Sequence, residues 1–237
     1  FASIAPRGWQ RWLGSRGDSS LRVRARKLLT AHDFNESLQS ELARFPDERQ
    51  ILVYVHGFCT SFDDAAIRAA QLGVDLRAPG PTAFFSWASA GQIAKYMAVE
   101  ASVEANSHNL VSFLRDLTSI SGAEQVHVIA HSMGNRALLR AVQLLDQERP
   151  VSNVRFGQII LAAPDVDADL LRAAATPLVA ICKRVTVYVS PDDVPVKLSQ
   201  LLHGFARAGS MPPVSTFEGV DTVAVPKLNL RDPLWHT

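Results

Sequence analysis

The stretch Val126–Asn135, Val-His-Val-Ile-Ala-His-Ser-Met-Gly-Asn, restricts what this chain can fold into more than any other. An apolar, β-branched run ends in the pattern small-x-Ser-x-Gly, and a helical pattern starts at once. That order predicts a strand, a sharp turn and a helix. A serine at so tight a turn holds a strained backbone, and strand and helix crowd it from both sides. Only small residues fit two positions before and two after it, and Ala130 and Gly134 meet that need. The turn also gathers the first backbone N–H groups of the helix beside the Ser132 hydroxyl, where they can stabilise negative charge. A serine acting only as a helix N-cap satisfies the same local pattern, so the rest of the chain has to decide.

Ile51–Val55, Ile-Leu-Val-Tyr-Val, is a second continuous apolar run, suited to a strand covered on both faces. Further strands are predicted at Thr82–Trp87, Gln158–Ala162, Arg184–Val189 and Asp221–Val225. Helical spacing falls between them: Phe34–Phe45, Phe62–Arg77 with Thr60 or Ser61 as its cap, and one or two helices over Ile93–Leu117. Met133–Asp146, a short Ala168–Ala175 and Val196–His203 complete the set. Leu21–Lys27 alternates apolar residues with Arg22, Arg24 and Arg26, a half-buried or edge strand pattern with a solvated face. Residues 1–20 read as an N-terminal arm. Strands alternating with helices imply a mostly parallel sheet with helices on both faces. No repeat or linker divides the 237 residues, so a single domain over 1–237 is expected.

Composition narrows the function. At 47% hydrophobic and 20% charged the chain is globular in type, and a net charge of +1 argues against a nucleic-acid footprint, so no nucleic-acid partner is expected. No membrane span is expected, since no apolar run reaches about 18 residues. No metal-ligand spacing, Walker loop or dinucleotide fingerprint is present, so no cofactor and no metal are expected. Cys59 and Cys182 are too few for a disulfide framework. Reduced thiols, and no apolar segment of signal length in residues 1–30, favour a cytoplasmic protein. The first residue is Phe rather than Met, which reads as a trimmed chain and leaves export open.

In a parallel sheet, ligands bind beyond the carboxyl ends of the strands. The residues there are His56-Gly57-Phe58, Ser86-Trp87, Ser132, Asp165 and Asp192-Asp193. A serine with several carboxylates on one sheet edge suits nucleophilic catalysis. The hydroxyl needs a histidine to take its proton, and the histidine needs a carboxylate to orient it.

Several stretches carry a resemblance. They are Val55-His56-Gly57-Phe58 with Thr60-Ser61-Phe62, Phe85-Ser86-Trp87, Ala130–Arg136, and Leu161-Ala162-Ala163-Pro164-Asp165-Val166-Asp167. Tyr188, Ser190, Asp193 and His236 extend the set. Together they resemble the esterase/lipase-like α/β-hydrolases of bacteria, a family catalogued mainly as a domain of unknown function, over roughly residues 50–237. The resemblance implies an α/β-hydrolase fold with a small cap or none, and a Ser–Asp–His hydrolase acting on carboxylic esters. The order Ser, acid, His then leaves His203 and His236 as bases. His203 sits on the helix directly after Asp193, whereas a loop after the last strand can bring His236 over Ser132. For the acid, Asp193 follows the second strand after the Ser132 strand, the usual place in this fold; Asp165 and Asp192 stand as alternatives. The oxyanion donors are expected to be the N–H groups of Phe58 and Met133, with His56 a hydrogen-bonding loop residue.

This sequence departs from the family in three places. Cys59 stands where the family tends to carry Asn. Trp235 precedes a histidine one residue from the end. The turn at Ser190–Asp193 carries a Pro and a second Asp. Trp87 and Tyr96 are candidates to line an acyl pocket, and an open site implies short to medium acyl esters as small-molecule substrates. The same machinery would serve a thioesterase, amidase or acyltransferase, and without a working base the fold would be a binding module. Nothing in the sequence sets an oligomeric state.

Overall fold

The structure, a computed structural model, describes residues 21–89, 102–103, 105–119, 122–147, 156–191 and 193–225. The N-terminal arm 1–20, Tyr96, Asp192 and His236 lie outside the described residues. The regular elements alternate: α1 Ala31–Leu42, β1 Gln50–Val55, α2 Phe62–Asp75, β2 Thr82–Phe85, α3 Ser107–Ser119, β3 Gln125–His131 and α4 Gly134–Gln147. They continue with β4 Phe156–Ala162, α5 Ala168–Ile181, β5 Cys182–Val189, α6 Val194–His203 and β6 Asp221–Ala224.

The six strands form one sheet in the order β2-β1-β3-β4-β5-β6, and every pairing is parallel. This is an α/β-hydrolase fold. The order has a functional consequence. From β1 the chain moves outward to β2 on one side; from β3 it moves outward to β4 on the other. Connections that diverge in this way leave a crevice between the carboxyl ends of β1 and β3. Val55 at the end of β1 pairs with Ala130 near the end of β3, so the Gly57–Phe58 loop and Ser132 leave the sheet side by side.

The continuous apolar run of β1 is buried on both faces. Ile51, Val53 and Val55 join the larger core with Leu110, Leu114, Leu138 and Leu171. Leu52 and Tyr54 pack on the opposite face with Ala69 and Leu72 of α2. A fully buried Leu or Ile stabilises the fold by about 1.5–3 kcal/mol relative to exposure, so most packing energy lies on the larger face.

Two expectations are corrected. Leu21–Lys27 forms no strand. Arg26 instead reaches Asp63 at the start of α2 and lies over the Phe62 ring at 5.4 Å, which ties the segment across a helix. The helix expected to stop near Ala175 runs to Ile181 with Pro177 inside it. Thr30 caps α1 and Ser61 caps α2, each by accepting a backbone N–H. Among the described residues, no helix is long and apolar enough to cross a membrane.

Candidate active site

Ser132 sits between β3 and α4 with φ +52, in the left-handed region. A non-glycine residue there carries a cost of roughly 1–2 kcal/mol, which the surroundings must offset. They do so with hydrogen bonds. The Ser132 N–H donates to Ala162 O at 3.0 Å. Its carbonyl accepts the N–H of Asn135 at 3.1 Å and of Asp165 at 3.3 Å, and Asn135 Nδ2 at 2.9 Å. Asn135 also donates to Ala162 O, which locks the turn to the end of β4.

The small residues around Ser132 are demanded by contact. A Cβ on Gly134 would lie 2.4 Å from His56 O, and one on Gly57 would lie 2.9 Å from Ser132 Cβ. Ala130 is completely buried. The β1 loop and the serine turn therefore touch backbone to backbone. Met133, the next residue, is fully buried, and its N–H is not used in the turn's own hydrogen bonds. Ser132 itself is 6% exposed, in a setting that strengthens electrostatic interactions.

His56 anchors the loop after β1. Its Nε2 accepts the Trp87 N–H at 3.2 Å, so that nitrogen carries no proton, and Nδ1–H donates to Gly57 O at 2.8 Å. Burial pushes its pKa down, the Gly57 bond opposing it only partly. A histidine held neutral, with both nitrogens engaged, is no general base. Trp87, expected at the acyl pocket, stacks on His56 at 5.2 Å and donates its indole N–H to His56 O. Its position in the core makes it a support for the Gly57–Phe58 loop. Cys59 adopts φ +57, a conformation that Asn tolerates better than most residues. Burial, and then Asp64, push the Cys59 thiol up, so it stays protonated.

The candidate acids differ in their surroundings. Asp193, 1% exposed, caps α6 by accepting the Val196 N–H at 2.9 Å. Asp165, 4% exposed, accepts the Ser199 hydroxyl at 2.5 Å and lies 3.5 Å from Arg207 Nε. Both follow strands on the Ser132 edge of the sheet. The structure thus gathers Ser132, Met133, Gly57, Phe58 and Asp165 at one edge; His236, Tyr96 and Asp192 are outside the described residues. His131 packs by Gly57, and His127 bonds Gln50 and the Gln158 N–H within the sheet. Sequence reading missed Ser199, Arg207 and Arg136, whose Nε donates to Asp165 O at 2.9 Å. Arg136 closes the resembling stretch Ala130–Arg136 but was given no role; no local pattern marks Ser199, and an Arg between Ala206 and Ala208 is the one sign that Arg207 could be buried. Among the described residues, no group of three or more His, Cys, Asp or Glu is gathered to hold a metal ion.

A parallel sheet with a strained serine turn at its switch point defines an α/β-hydrolase. The family model for α/β-hydrolases of unknown function (DUF900) matches residues 30–237, and the chain belongs to that family. No curated protein matches. Among solved structures, esterase B from Lactobacillus rhamnosis is similar at 12% identity and TM-score 0.44, covering 75% of this chain and 65% of that one. The chain therefore spans just under two thirds of that esterase. The Pyrococcus furiosus esterase Pf2001 is similar at 14% identity and TM-score 0.44, covering 79% and 77%. An acetyl xylan esterase is similar at 14% and 0.40, covering 76% and 83%.

Proposed function

We propose that this hydrolase is a carboxylesterase with Ser132 as nucleophile, His236 as general base and Asp193 as the orienting acid. The observation that carries the reading is the left-handed Ser132 between β3 and α4, beside the Gly57 loop. Ser132 Oγ attacks the ester carbonyl as His236 takes its proton. The N–H groups of Met133 and Phe58 receive the developing oxyanion; losing one such donor typically costs about 3–4 kcal/mol of barrier. His236 then protonates the leaving alcohol, and water releases the acyl group by the same route in reverse.

Asp193 is preferred over Asp165 because it follows β5, the second strand after the Ser132 strand, the usual place for the acid in this fold. Tyr96 is assigned to the acyl pocket, whose substrates are esters of short to medium acyl chains. The test is turnover of p-nitrophenyl acetate and butyrate by wild type and Ser132→Ala. The variant is expected to lose activity to background, and undiminished turnover removes Ser132 as nucleophile. Higher kcat/KM on thioesters or amides than on matched esters replaces the esterase assignment with that activity.

A further inference from the structure

Asp165 touches the nucleophile turn with its backbone and the acid's helix with its side chain. Its N–H donates to Ser132 O at 3.3 Å, and its carbonyl accepts Arg136 Nε from the first turn of α4. Its carboxylate accepts the hydroxyl of Ser199, which lies on α6, the helix that Asp193 caps. Arg207 stands behind it at 3.5 Å, too long for a well-formed hydrogen bond, and acts as a charge. The Arg207 segment is laced to the same loop. The Ala168 N–H donates to Ala206 O and the Ala208 N–H to Val166 O, each at 2.9 Å, and Gly209 N–H donates to Pro164 O at 3.0 Å.

We propose that Asp165, with Ser199 and Arg207, is a positioning residue that fixes the separation between the Ser132 turn and the helix bearing Asp193. The proposal rests on the esterase reading above. Two physical points favour positioning over plain stability. A buried charged cluster is an inefficient way to stabilise a fold, and apolar residues of similar volume often do as well or better. This cluster is also incompletely satisfied: Arg207 Nε and Nη2 are buried without a hydrogen-bond partner. What the ionic arrangement supplies, and an apolar one would not, is a directional link from Ser132 to α6. Nucleophile and acid sit on separate connections, after β3 and after β5, so the sheet alone leaves α6 free to shift against the turn.

The test is Ser199→Ala in the full chain, with p-nitrophenyl acetate kinetics, the rate of fluorophosphonate labelling and thermal unfolding. The expected result is a fall in kcat of about 10-fold with KM within about twofold, the signature of misplaced catalytic groups. The acid limb of the kcat/KM profile is expected to move to lower pH, because a loosened carboxylate holds the imidazolium less well. Asp165→Asn keeps an acceptor for Ser199 and is expected to retain more kcat than Ser199→Ala. If Asp165→Asn does not fold, Ser199→Ala decides alone. A Ser199→Ala protein that melts lower but keeps wild-type kcat, labelling rate and pH profile overturns the network. A wild type that does not label at Ser132 overturns the esterase reading instead.

Discussion

Gly134→Ala tests the close approach of the β1 loop to the serine turn. The added methyl would stand 2.4 Å from His56 O, 2.9 Å from Val55 O and 3.1 Å from His56 C. All three are backbone atoms, so no side chain can swing aside. Restoring ordinary contact at 3.4 Å requires a retreat of 3.4 − 2.4 = 1.0 Å. Val55 cannot retreat freely, because it is paired with Phe85 on one side and Ala130 on the other. Overpacking of this kind costs about 1–3 kcal/mol. Alanine's better helix propensity returns at most about 1 kcal/mol. The net expectation is a loss of about 1–2 kcal/mol in urea unfolding. The activity should suffer more, since a displacement near 1 Å at the oxyanion loop can cost about 100-fold in kcat. Gly204→Ala is the control: its φ is +72 and nothing lies within 4 Å, so it should lose about 1 kcal/mol and no activity. A Gly134→Ala enzyme with wild-type stability and kcat would refute the contact argument; lost stability with full activity would refute its bearing on the site.

Three further outcomes are expected. Ser132→Gly should unfold at higher urea than Ser132→Ala by about 1 kcal/mol, because only glycine is released from the left-handed penalty at φ +52. Equal stabilities would mean the turn is unstrained. Cys59→Asn should stabilise by several tenths of a kcal/mol, roughly, for the same reason at φ +57, with no change in kcat; a destabilised variant would show that the thiol's packing outweighs the backbone term. Lastly, His56 is buried neutral with its pKa pushed down, so the unfolded chain binds the proton first. The stability this supplies is complete above the ordinary value near 6.5 and is lost as pH falls below it. His127, lowered by burial and by Lys183, adds in the same direction. Urea midpoints at pH 8, 6.5 and 5, with the His56 Cε1–H titration by NMR, check this; a His56 midpoint above 6.5 contradicts it.

How much of this was legible in the sequence depended on how local the cause was. The core strands were, because Ile51–Val55 is apolar without interruption, as burial on both faces requires, and Val126–Ala130 is apolar but for His127. The serine turn was legible from the small residues at Ala130 and Gly134, but what Gly134 makes room for is not its own strand and helix alone: it faces His56 O of the loop after β1, a contact that only the sheet brings about. Leu21–Lys27 misled because alternation shows only that a segment could pair. The segment is held through Arg26 at the start of α2, not by a sheet edge. Helix α5 runs past Ala175 and through Pro177 because the buried Leu178 and Ile181 carry it on, a packing cause that no local signal shows. The surroundings of Asp165 were out of reach, since Ser199 and Arg207 meet it only through the packing of α6 and the loop beyond it.

The central claim is that the hydroxyl at this strained turn is a working nucleophile. Exposure of the full chain to a fluorophosphonate, followed by intact mass and peptide mapping, measures it directly. A single phosphonyl adduct on Ser132, absent from Ser132→Ala and from heat-unfolded protein, is the expected result. A folded protein that takes up no label, or carries it on a residue other than Ser132, contradicts the account.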